Sequence, residues 1–93
     1  MRAELPYISW RDVSAGVYVT TLEPAHVNCG LVVGTDAALL VDTGSSPAQG
    51  EALRRSIADV TSVPLRHVIV THHHWDHAYG LGAFGDVETI WHE

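Results

Sequence analysis

A chain of 93 residues, 46% hydrophobic and 17% charged, has the composition of a soluble globular protein of at most one domain, and at this length it buries only about 60 to 65% of the surface its unfolded form exposes. Five arginines, no lysine and eleven acidic residues give a net charge of −6, which repels phosphate backbones and anionic lipid surfaces and argues against a nucleic-acid or membrane-surface role. Cys29 is the only cysteine, so an internal disulfide and a cysteine-based zinc knuckle are excluded; "MRAELPYISW" has no signal-peptide core and no run approaches about 18 apolar residues, so the chain reads as cytoplasmic.

The first strand falls at "GVYVTTL", residues 16–22, where β-branched and aromatic residues dominate. "GLVVG" at 30–34 and "AALLVDTG" at 37–44 come next, and their separation by Gly34, Thr35 and Asp36 predicts a hairpin. Ala37 to Val41 is continuously apolar, which suits an interior strand covered on both faces. Ser46, Pro47 and Gln49 make a helix-start signature: a hydroxyl cap, a proline in the first turn, and a glutamine placed to reach back to the cap. The helix carries Leu53, Ile57 and Val60 on one side, turns Glu51, Arg54, Arg55 and Asp59 to water, and cannot run past Pro64.

"LRHVIVTH", residues 65–72, reads as a second buried strand, so strand, helix, strand implies a right-handed crossover between two parallel strands. Three glycines in "HAYGLGAFG" permit only short irregular turns, and "VETIWHE" reads as a further strand. Ligands in open α/β sheets gather beyond the carboxyl ends of parallel strands. Asp42 ends one such strand, and "THHHWDH" ends the other.

That run is internal and interrupted by Trp75 and Asp76, so it is no purification tag. With seven histidines and six aspartates in the chain, the pattern H-x-H-x-D-H is expected only about 0.002 times in a shuffled copy. In extended chain His72 and His74 point the same way and can chelate one ion, whereas Asp76 and His77 diverge and suit a second ion about 3.5 to 4 Å away. Nitrogen and oxygen donors without sulfur favour zinc, and also accommodate iron or manganese.

"THHHWDH", with "LLVDTG" about thirty residues earlier, resembles the metallo-β-lactamase-fold hydrolase superfamily, and the run is similar to that of the thioesterase branch containing glyoxalase II. The resemblance implies the N-terminal part of an αββα sandwich, an α/β fold, with 1–93 as a single, incomplete domain. It implies two zinc ions, one held by His72 and His74 and the other by Asp76 and His77. Asp76 is also implied as a catalytic carboxylate, and Asp42 as a supporting residue. The implied activity is hydrolysis of a small-molecule ester, thioester, lactone or lactam by metal-activated water. The family's remaining ligands come from far downstream of such a run, so the chain is expected to be a fragment, poor or inactive as a hydrolase alone, with an exposed apolar face that favours self-association. Flavin-linked iron relatives look like H-x-E-x-D, against His74 here, and nuclease relatives call for a basic surface.

Plainer readings stand beside these. Asp76 is also a suitable helix N-cap, Asp42 a suitable turn-former before Gly44, and Cys29 a small buried hydrophobe. His26, His67 and His92 read as surface or packing residues, and Trp10, Trp75 and Trp91 as packing groups. The alternative to a hydrolase is a non-catalytic remnant with weak metal binding.

Overall fold

β-Branched and apolar residues at period two gather six strands into one mixed sheet. The computed structural model describes residues 8–23, 27–44, 46–71 and 84–91. Its strands are β1 (Arg11–Ser14), β2 (Val17–Leu22), β3 (Val27–Val33), β4 (Ala38–Val41), β5 (Leu65–Val70) and β6 (Glu88–Trp91), and its helix is α1 (Pro47–Val60), between β4 and β5. The six strands lie side by side in the order in which they occur along the chain. β1 to β4 pair antiparallel, while β4–β5 and β5–β6 pair parallel. This is the expected α/β arrangement, and both parallel strand ends lie at one edge.

The helix forms where the caps place it. Ser46 is extended, its hydroxyl accepts the Gln49 N–H at 3.1 Å, Pro47 occupies the first turn, and Thr61 closes the helix with its N–H on the Ile57 carbonyl. Gln49 is buried, and its side-chain amide donates to the Glu23 carbonyl just after β2. Arg54, expected in water, is bound to Asp86 and lies over the Phe84 ring.

One face of the sheet packs on the helix. Leu31, Leu40, Val68 and Val70 from the strands meet Leu53 and Ile57 from α1, and Phe84 seals the end of this core. Trp10 extends the contact through an indole N–H to Ser56 Oγ of 2.7 Å.

The other face is apolar too. Val17, Val32, Leu39 and His67 form a cross-strand row that ends at Glu88, and Val19, Gly30, Val41, Ile69 and Ile90 form a second. Val32 is 40% exposed and Ile90 44%, so this face is open, and β4 alternates buried and half-buried residues rather than being covered on both sides.

Two further differences have backbone causes. β1 has one apolar residue, Val13, and all four of its residues are exposed; it exists by pairing with β2. β3 starts at Val27 rather than Gly30, because β2 offers it ladder partners as far as Leu22. The irregular turns expected between 77 and 85 fall mostly outside the described residues.

Leu53 is fully buried in this core, so Leu53→Ala is expected to cost about 2–5 kcal/mol by leaving a cavity. Ser46→Ala removes one cap hydrogen bond and is expected to cost about 1 kcal/mol. Urea denaturation compares the two, and equal losses would contradict the assignment of the core.

Candidate metal centre

β4 and β5 end side by side, and the residues just beyond the two strands are tied to each other. Asp42 is 3% exposed and takes a left-handed backbone conformation, φ 68°, which aspartate tolerates better than most residues. Its N–H continues the ladder to the Ile69 carbonyl at 2.7 Å. Its carboxylate then turns across the strand end: one oxygen accepts the Thr71 N–H and the other accepts the Thr71 hydroxyl, both at 2.8 Å. A hydrogen bond to a carboxylate is about twice as strong as a neutral one, and here a pair of them fixes a single residue.

Glycine is required just after this point. Gly44 has φ +88°, and a Cβ there would sit 2.8 Å from Leu22 Cδ1 and 2.9 Å from Gln49 Oε1. The turn from β4 into α1 therefore packs closely against Leu22 of β2 and the first turn of the helix, with no room for a side chain.

Thr71 is the last described residue before the ligand run. His72, His74, Asp76 and His77 lie outside the described residues, as do Trp75, His26 and His92. Among the described residues no three His, Cys, Asp or Glu side chains gather closely enough to hold a metal. His67 pairs with Glu88 across β5 and β6, its Nε2 2.9 Å from Glu88 Oε1, on the open face of the sheet. Cys29 is buried beside the strand ends; burial pushes its thiol up from 9.0 to about 12, and the negative charge of Asp42 adds to the effect. The side chains that the sequence gathers in the run after Thr71 are imidazoles and a carboxylate, a donor chemistry that fits zinc.

The chain re-enters the described residues at Phe84, fully buried, whose carbonyl accepts the Val87 N–H at 3.0 Å. Arg54 on α1 donates from Nη1 and Nη2 to the two oxygens of Asp86, at 2.6 and 2.8 Å. That bidentate contact holds the Asp86 carboxyl below its usual range. The sequence singles out Asp42 and the histidines, but neither Thr71 nor Asp86 as partners: each contact joins residues about thirty positions apart and has no local signal.

The sequence model of the metallo-β-lactamase superfamily matches residues 22–89. Among solved structures, the metallo-β-lactamase from Hirschia baltica superposes with a TM-score of 0.80 at 26% identity, covering 95% of this chain and 44% of that one. That from Erythrobacter litoralis, with β-mercaptoethanol in its active site, gives 0.74 at 28% identity, covering 94% and 42%. The FIM-1 metallo-β-lactamase from Pseudomonas aeruginosa, in its mono-zinc form, gives 0.78 at 22%, covering 96% and 43%, a likeness of fold alone. No curated protein matches. The chain spans less than half the length of these three structures.

Asp42→Asn keeps a residue that tolerates positive φ but sets an amide where two donors were accepted, and is expected to cost about 1–3 kcal/mol. Asp42→Ala should cost about 1–2 kcal/mol more, for the left-handed backbone. Thermal unfolding distinguishes them; equal losses would remove the conformational role. Because the raised Cys29 pKa means that the folded protein holds this proton more tightly than the unfolded chain does, that stabilisation is complete below pH 9.0 and is lost as pH rises towards about 12. Cys29→Ala should show a shallower alkaline decline than the parent, read from urea midpoints across that range.

Proposed function

This chain belongs to the metallo-β-lactamase superfamily, a metal-dependent hydrolase fold, and on that premise we propose that its ligand run serves a zinc-dependent hydrolase. In this reading His72 and His74 hold one ion, Asp76 and His77 hold a second, and Asp76 doubles as a catalytic carboxylate. Substrates are small carbonyl compounds: an ester, a thioester, a lactone or a lactam. The observation that carries the reading is the pair of hydrogen bonds from Thr71 to Asp42, which fix the residue immediately before His72 at the end of the parallel strand β5.

Zinc supplies Lewis acidity, both towards a substrate carbonyl and towards water, whose pKa falls from about 16 to about 7 on binding. The chain's own contributions are those of holding and orienting. Asp42 acts through Thr71 rather than as a ligand, and so serves as a positioning residue. Cys29, buried in the core, is a packing residue in this reading. The acidic balance of the chain, −6, favours neutral or cationic substrates over polyanions. The mono-zinc form of the Pseudomonas relative supports the choice of metal, and the β-lactamase names of the neighbours put lactams in the substrate panel.

Zinc titration of the chain against a chromogenic chelator, with His72→Ala and His74→Ala, tests the assignment. Each substitution is expected to weaken binding at least tenfold, on the scale by which even supporting groups act. Unchanged affinity in the double variant would defeat it. A panel of a chromogenic cephalosporin, an acyl thioester and an aryl lactone, run with and without chelator, then reads the substrate class.

A further inference from the structure

On the face of the sheet away from α1, the two apolar rows run side by side from β2 to β6, with Val32 and Ile90 40% and 44% exposed. Polar side chains on this face stand at its margins. Thr21 and Asn28, at the end of the β2–β3 pair, satisfy each other through a 2.7 Å hydrogen bond. Arg11 is opposite Val19 on β1, the first strand of the sheet, and Glu88 is opposite His67 on β6, the last. One lateral margin therefore carries a guanidinium and the other a carboxylate, with the apolar rows between them.

A face of this kind is complementary to itself. A two-fold axis along the strands, midway between β3 and β4, lays β1 of one copy over β6 of the other. Arg11 and Glu88 are one row apart, about 7 Å along the strands, so each arginine can reach the carboxylate of the second copy. Glu88 already meets His67 Nε2 at 2.9 Å, but a carboxylate accepts more than one donor. An axis across the strands sets β1 on β1 instead, and brings like charges together.

The area suffices. Six strands about 4.8 Å apart, each about five residues long at about 3.3 Å per residue, offer on the order of 500 Å² per copy and about 1,000 Å² per pair, the lower bound of a specific interface. The longest segment of this chain outside the described residues is 72–83, twelve residues, too few to lay a second layer over six strands.

We propose that the open face is a homodimer interface, apolar sheet against apolar sheet, oriented by Arg11 of each copy on Glu88 of the other. It stands apart from the metal assignment.

Light scattering at micromolar concentration, on the parent and on charge variants, tests it. The parent is expected at twice the chain mass. Arg11→Glu and Glu88→Arg change exposed side chains, so the fold should hold, checked by circular dichroism, and each is expected to weaken the dimer about tenfold or more by setting like charges together. Mixing the two variants in equal amounts restores both opposite-charge contacts and should restore the dimer. Val32→Lys, in the apolar rows, should give a monomer. A monomeric parent overturns the proposal, whatever covers the face, and so does a parent isolated in complex with a different polypeptide. Polydisperse aggregates indifferent to the charge variants, or a dimer that Arg11→Glu and Glu88→Arg leave intact, would equally sink it.

Discussion

Everything proposed for the metal centre passes through the carboxylate of Asp42. Parallel strands need a crossover, and a crossover leaves their carboxyl ends side by side with no turn to join them. Here the join is a side chain: Asp42 reaches from the end of β4 and takes both the N–H and the hydroxyl of Thr71. The left-handed backbone of Asp42 directs the chain out of the ladder, and the glycine two positions on allows it to turn into α1 between Leu22 and Gln49. Without that bridge, β5 would still pair with β4, but the direction in which the chain leaves β5 would be unspecified.

The same economy governs how α1 is used. Its inner side builds the core with Leu53 and Ile57, its first turn is capped by Ser46 and sends Gln49 to the Glu23 carbonyl, and its outer edge supplies Arg54 to Asp86. One helix thus braces the end of β2, covers the sheet and grips the turn before β6. It covers only one side of that sheet, and the two rows of valine, leucine and isoleucine on the opposite face are left half-exposed or exposed. The sheet is apolar on both faces because its strands are rich in β-branched residues throughout, not because both faces are used among the described residues.

Legibility in the sequence tracks the range of the interactions involved. The bounds of α1 are legible at both ends, since Ser46, Pro47 and Pro64 act within a few residues of themselves. β4 and β5 are legible from continuous apolar runs, and their parallel pairing from the helix between them. The histidine run stands out because its spacing is improbable by chance, and it lies outside the described residues. β1 is not legible, because its four exposed residues contribute backbone hydrogen bonds and no burial. Gln49 has a partner that no local pattern marks, the Glu23 carbonyl 26 positions away, to which its side-chain amide donates. Asp42 can be recognised as important without its partner being known, since nothing local marks Thr71.

Strand order along the sheet is also chain order. Each strand finds its partner in the next segment of sequence, so loop closure costs little at every step and no strand must wait for a distant one. A chain made from its amino end can therefore assemble this sheet progressively, hairpin by hairpin, with the first real delay at α1, which must form and dock before β5 can add in parallel. The histidine-rich run follows β5 in the chain, so the carboxylate that holds Thr71 belongs to a part of the sheet whose strands, β1 to β5, all precede the run.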